Sequence, residues 1–304
     1  MTITYLHPSP VPAYQNQLDL QVIQPRFDAL VEELAAAIFP SGEVARSLSA
    51  GLDEIATMIR SVPTHEGRLL ERGIAVLAEA NPSLVVLNQN IRLPVTKAAV
   101  ELVEKNDPTL YRSLTLDSDS AGRKSYTPDL IILNRRTRVA HVVDVKRSLG
   151  SYETSRIADL KSRMLAASLI VPDLLYKEHR RLVAEDVRVV ILNAANQRTD
   201  IEGGVWPLSH LDHLLEVGGA GEMMKSLRQA FRARVEETWA AALRSFRLRT
   251  DGAHSKPLAE QPDPLDERGR GASAEELKEE GEQGSHSGAL IRFGFARAPV
   301  ARPG

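Results

Sequence analysis

The sequence predicts a mixed α/β (α+β) fold: a central mixed sheet flanked by helices, with a helical hairpin before it and a long helix after it. Three observations lead there. First, the apolar runs Leu84–Leu87, Leu130–Leu133, Arg138–Lys146 and Val187–Leu192 have strand length and are rich in valine, isoleucine and leucine. Second, the segments around them carry apolar residues at helical spacing. Third, the order helix, strand, strand, strand, helix, strand suits a layered core in which helices cover a sheet.

Bulk composition sets outer bounds. The 304 residues are 43% hydrophobic and 26% charged, ordinary for a globular chain and enough for one large domain or two smaller ones. The absence of cysteine excludes disulfides, thiolate zinc sites and cysteine nucleophiles. The longest apolar runs, such as 34–39 and 165–171, are far too short for a membrane span, so no membrane partner is expected. The N-terminus lacks the basic-then-apolar order of a signal peptide, and a cytoplasmic location is the expectation. Net charge is −2, so attraction to a polyanion must come from local patches.

Along the chain, Pro8, Pro10, Pro12 and Pro25 mark a loose start. Phe27, Leu30, Val31, Leu34 and Ile38 then form a helical stripe that ends at Phe39-Pro40-Ser41-Gly42. Val44, Leu48, Leu52, Ile55 and Ile59 form a second stripe, completing a hairpin whose plain role is packing. Thr64 is suited to cap a third helix over about 65–80, with Leu69, Leu70, Ile74 and Leu77 on its apolar face. A helix is expected over 95–104 and a polar loop over 117–124. After the strand hairpin, a helix over about 152–170 is interrupted by Pro172, and 173–184 is a further helical candidate. An amphipathic helix over about 222–248 carries Leu227, Phe231, Val235, Trp239 and Leu243 on one stripe. The expected divisions are therefore 1–62, a helical region; 63–217, the core; 218–250, the basic helix; and 251–304, an acidic tail. Within that tail, 251–288 is expected to be disordered, and 289–296 is an apolar cluster able to dock or form a strand.

The chemistry is concentrated on the strand 138–146. Side chains alternate faces along a strand, so Asp144 and Lys146 point the same way at the end of an apolar run. Alone they could be a plain ion pair. The turn Asn134-Arg135-Arg136-Thr137 makes the two runs an antiparallel hairpin, which sets Asp129, at the start of one strand, beside Asp144, at the end of the other. Two adjacent carboxylates repel unless a cation lies between them. Magnesium favours such a place: hard oxygen ligands, one or two carboxylates, water and substrate phosphate.

The segments Ser125-Tyr126-Thr127-Pro128-Asp129 and Val142-Val143-Asp144-Val145-Lys146 resemble the PD-(D/E)xK phosphodiesterase superfamily, whose core has a restriction endonuclease-like fold. The resemblance covers roughly 65–193. It implies a divalent-metal-dependent nuclease, DNA being the expected substrate, with Mg2+ or Mn2+ held by Asp129, Asp144 and the Val145 carbonyl. Lys146 would orient the attacking water and steady charge on the phosphate. Members also carry an acidic residue on the helix before the sheet. Glu71, in Gly67-Arg68-Leu69-Leu70-Glu71-Arg72, matches best. Glu66 lies nearer the centre of the apolar face but in the first turn after Thr64, where the helix dipole alone favours a carboxylate. Nucleic acid is the expected partner, and a second copy of the chain is a candidate one. The alternative is a non-cleaving nucleic-acid-binding or regulatory protein on the same fold; a third option is an assembly role for the hairpin and tail.

Other signals weigh less. Arg156 could reach a phosphate near the site or simply face solvent. His210 and His213, with Asp212 between them, read better as surface histidines than as a metal site. His141 faces away from Asp144 and reads as a core or interface residue. No Gly-x-Ser-x-Gly elbow or phosphate-binding glycine loop is present. Residues 223–249 carry Lys225, Arg228, Arg232, Arg234, Arg244, Arg247 and Arg249 against Glu236 and Glu237, a net of five positive charges. That helix is either a phosphate-binding face or a solvated one. Residues 257–288 have a net of six negative charges, a solvating tail or a competitor for the basic helix.

Overall fold

Asp19 opens the first helix, accepting a hydrogen bond from the Gln21 N–H at 2.9 Å, and α1 runs Leu20–Ile38. The computed structural model describes residues 14–40, 47, 52–88, 91–106, 116–117, 124–253 and 292–296. The readings for Pro8–Pro12, Val44, Leu48 and the loop over 118–123 fall outside these. Pro25 lies inside α1, so the helix begins earlier than the proline suggests.

The next helix, α2, spans Leu52–Ala78 and passes through Pro63. This corrects the expected break at Thr64, which lies within the helix and does not cap it. A proline interrupts one backbone bond and crowds the preceding turn. Here polar side chains engage the backbone close by: Ser61 Oγ donates to Met58 O at 2.7 Å, and His65 Nδ1 lies 2.9 Å from Ser61 O. Leu69, Leu70, Ile74 and Leu77 are fully buried beyond the proline, and their burial outweighs its cost.

The strands are β1 (Asn16–Gln17), β2 (Leu84–Leu87), β3 (Leu93–Val95), β4 (Lys124–Tyr126), β5 (Leu130–Asn134), β6 (Val139–Lys146), β7 (Asp186–Asn193), β8 (Val205–Pro207), β9 (Val217–Gly218) and β10 (Arg292–Phe295). The remaining helices are α3 (Lys97–Lys105), α4 (Thr154–Ser168), α5 (Val171–Glu178), α6 (Leu211–Leu215) and α7 (Ala220–Ala253). A six-stranded mixed sheet has the order β10-β7-β6-β5-β2, with β8 also on β7. β2, β5 and β6 are antiparallel neighbours, whereas β6 and β7 are parallel and joined through α4 and α5. Two-stranded ribbons, β3–β4 and β1–β9, stand apart. The fold is thus the mixed α/β arrangement that the sequence predicts. α7 runs to Ala253, past the expected end, and 254–288 lies outside the described residues. The last apolar cluster supplies β10, paired with the first half of β7.

Both faces of the sheet are covered, as near-continuous apolar strands require. Leu130, Ile132, Val143 and Val145 face a core shared with α1, α2, α6 and α7. Ile131, Leu133, Ala140 and Val142 face a second core with α3, α4, α5 and the β3–β4 ribbon. α7 packs closely on α2 at Gly73, where a Cβ would lie 2.6 Å from Leu227 Cδ2 and 2.9 Å from Met224 Cε. No described helix is long and apolar enough to cross a membrane.

Candidate active site

The β5–β6 register pairs Leu130 with Val143, which sets Asp129 opposite Asp144 just beyond the ladder. Strand alternation puts Asp144 and Lys146 on the face shared with the β3–β4 ribbon, at the end of β6. The hairpin geometry expected from the sequence is therefore realised.

Asp144 is 4% exposed, and its two oxygens have different partners. Oδ2 accepts a hydrogen bond from the Tyr126 hydroxyl at 2.8 Å. Oδ1 forms an ion pair with the Lys146 ammonium but receives no hydrogen bond of good geometry. Tyr126 is the residue that sequence reasoning missed. It closes the β3–β4 ribbon opposite Leu93, and its own burial, followed by Asp144, raises the phenol well above its usual range. The only advance signal was its position three residues before Asp129 in a β-prone segment.

Asp129 is half-buried and accepts a hydrogen bond from the Val145 N–H at 2.6 Å. A strand residue presents its N–H and C=O to the same neighbour, so the Val145 carbonyl also faces Asp129. Burial and then Asp144 raise the Asp129 carboxyl, outweighing the Val145 N–H and Lys146. For Lys146, burial alone would lower the ammonium, but Asp144 and then Asp129 raise it overall.

Glu71 reaches this group from α2. Its carboxyl is pushed up to about 7, first by burial and then by Asp129, with a smaller push from Asp144; Lys146 and Arg68 oppose them. Three carboxylates thus act on one another around a single lysine. Glu66 does not join them. It lies mid-helix, not in a first turn, so the dipole argument for it is overturned. Its carboxylate is 4% exposed and accepts from Arg228 Nε at 2.6 Å and Arg232 Nη2 at 3.0 Å.

Among the described residues, no group of three or more His, Cys, Asp or Glu is arranged to hold a metal ion directly. The donor chemistry nonetheless suits a hard divalent cation with few protein ligands. Asp144 Oδ1 is buried with the Lys146 ion pair as its one contact, Asp129 stands beside it, and burial, followed by Asp129, raises the Glu71 carboxyl to about 7. Mg2+ uses one or two carboxylates and completes its shell with water and phosphate.

The weaker candidates resolve as follows. Asp212 accepts from Gly219 N at 2.8 Å and Gly221 N at 2.7 Å, holding the first turn of α7. His213 meets the Tyr14 hydroxyl, and its ring lies edge-on to His210 with centroids 5.2 Å apart. Both imidazoles are half-buried and lowered by burial, so they pack and do not sit loose on the surface. His141 is lowered to about 3 by burial and then by Arg188, a neutral side chain on the face away from Asp144. Arg156 is exposed at the start of α4. On the basic helix, Arg228, Arg232, Arg234 and Lys225 all pair with carboxylates, while Arg244 and Arg247 are exposed. Four of these basic side chains are therefore paired with carboxylates, three of them at the surface. No family model, curated protein or solved structure matches the chain, so the site must be read from its own geometry.

Proposed function

We propose that this chain is a divalent-metal-dependent nuclease with a PD-(D/E)xK, restriction endonuclease-like core, hydrolysing phosphodiester bonds of nucleic acid, DNA above all. The observation that carries the reading is the convergence of Asp129, Asp144, Lys146 and Glu71 at one end of the β5–β6 hairpin. A structural ion pair has no use for two further carboxylates whose charges oppose it.

In this reading Asp129, Asp144 and the Val145 carbonyl hold Mg2+ or Mn2+, and Glu71 adds its carboxylate directly or through water. The bound ion supplies electrophilic activation of the attacking water and of the phosphate. The remaining work belongs to the protein. Tyr126 fixes Asp144 by donating to Oδ2, while Oδ1 pairs with Lys146. The Val145 N–H fixes Asp129 in the same way. Lys146, 24% exposed, is sheltered enough to hold its direction and open enough to meet a phosphate oxygen or the incoming water. Lys146 would give up its place as the counter-charge of Asp144 to a bound dication, and its ammonium would be released for the substrate.

A second reading, a non-cleaving nucleic-acid-binding or regulatory protein, draws on one observation: Lys146 and Tyr126 already engage both oxygens of Asp144. Incubation of the purified protein with plasmid, linear duplex and single-stranded substrates, with Mg2+, Mn2+ or chelator, separates the two. Metal-dependent cleavage supports the nuclease; tight binding with no cleavage of any substrate supports the binder.

A further inference from the structure

Three guanidinium groups meet on one buried carboxylate. Glu66 Oε1 accepts from Arg228 and Arg232, and Glu66 Oε2 lies 3.7 Å from Arg147 Nε. One negative charge is thus shared by three positive ones, leaving a local surplus of two. The three arginines differ in how fully they are used. Arg228 is 14% exposed and also donates to the Ala194 carbonyl and, at 3.5 Å, to the Arg147 carbonyl. It ties α7 to the ends of β6 and β7. Arg147 and Arg232 are 47% and 53% exposed. Each makes a single contact with Glu66 in the described structure, and each guanidinium has five N–H donors.

The position of this surplus is informative. Arg147 directly follows Lys146, and Glu66 precedes Glu71 by five residues on α2, about 7.5 Å along the helix axis. A nucleic-acid strand rises about 3.4 Å per nucleotide. The rise from Glu66 to Glu71 therefore matches about two nucleotides of such a strand. Guanidinium forks match phosphate oxygens in pairs, and Glu66 already holds the side chains in place, so little is lost in ordering them.

We propose that Arg147 and Arg232 form a phosphate subsite for the nucleic-acid backbone beside the carboxylate centre, with Glu66 and Arg228 as positioning residues. The subsite rests on the nucleic-acid reading above but is tested by binding alone. The experiment measures affinity of the full chain, in chelator to prevent cleavage, for a short labelled DNA duplex and its single strand across a salt series. Arg147→Ala and Arg232→Ala should each weaken binding several-fold at low salt and reduce the slope of log K against log salt by about 0.9 on the duplex and about 0.7 on the single strand. Arg147→Lys and Arg232→Lys should restore the slope but only part of the affinity, since charge returns without the fork; they also serve if an alanine variant folds poorly. Arg138→Ala, at the opposite end of β6, should leave both quantities unchanged. Parental slope and affinity in both alanine variants would overturn the subsite, even if the parent cleaves normally. Lowered slopes in both alanine variants, beside a parent that cleaves nothing when assayed separately with Mg2+ and Mn2+, would support the subsite and overturn the nuclease. No measurable binding of either DNA by the parent would overturn the subsite.

Discussion

Asp144 combines deep burial, a tyrosine bond on one oxygen and a lysine on the other, and this sets the expected effect of its substitution. Asp144→Asn keeps the shape and an acceptor for Tyr126 while removing the charge. Cleavage should fall by about a thousandfold or more, because cation binding is lost, with the far-ultraviolet circular dichroism spectrum unchanged. Nucleic-acid affinity without metal should hold or rise. Lys146→Ala should also abolish cleavage but weaken binding slightly, so the two variants move binding in opposite directions. Glu71 makes a pH prediction. Its folded value of about 7 lies above its ordinary one, so the folded state binds more protons between about pH 4.5 and 7. Stability of the metal-free protein should therefore fall as pH rises through that window. Half-exposure and solvent screening reduce the effect to about 1 to 2 kcal/mol. Denaturant titrations at pH 5 and 8 read it: Glu71→Gln should remove the fall, and Mg2+ should stabilise more at pH 8 than at pH 5. Asp129, Asp144 and Lys146 were legible because strand alternation and hairpin pairing are local rules. Tyr126 was not, because its partner lies eighteen residues away across a ribbon whose strands are only three residues long.

At the scale of the element, α2 is where sequence reasoning and structure part. Pro63-Thr64 has the local signature of a helix start, yet Leu69, Leu70, Ile74 and Leu77 dock so completely that the helix continues through it. Once that start is lost, Glu66 can no longer be a first-turn carboxylate, and its buried position requires the arginines it meets. Those partners lie 162 and 166 residues away, beyond any local pattern. Glu66→Ala should cost about 2 to 4 kcal/mol, because Arg228 loses its counter-charge while keeping its carbonyl contacts. Glu71→Ala should abolish cleavage with far less effect on the fold. Chemical denaturation and cleavage assays on the pair separate the two carboxylates. An inert Glu66 variant beside an active Glu71 variant would reverse their roles. Gly73→Leu should destabilise by about 1 to 3 kcal/mol by forcing α2 and α7 apart, read as a lower denaturation midpoint.

In the whole molecule, the layered arrangement followed from strand composition: runs apolar on both faces demand cover on both sides, and the described helices divide between the two cores. The extent of α7, its arginines spent on Glu66 and Glu32, and the return of β10 to the sheet edge all depend on long-range packing. The layers leave the end of the β5–β6 hairpin as the place where carboxylates from three elements meet, and the nuclease reading rests on that convergence. Calcium, with looser and longer coordination, should fail to replace magnesium in cleavage. The direct test of the central claim is cleavage of plasmid, linear duplex and single-stranded substrates by the parent protein and an identically purified Asp144→Asn variant, in Mg2+, Mn2+ and excess chelator. The parent should cleave only with Mg2+ or Mn2+, and the variant should be slower by about a thousandfold or more; no cleavage by the parent under any condition, or equal cleavage by the variant or in chelator, would contradict the nuclease reading.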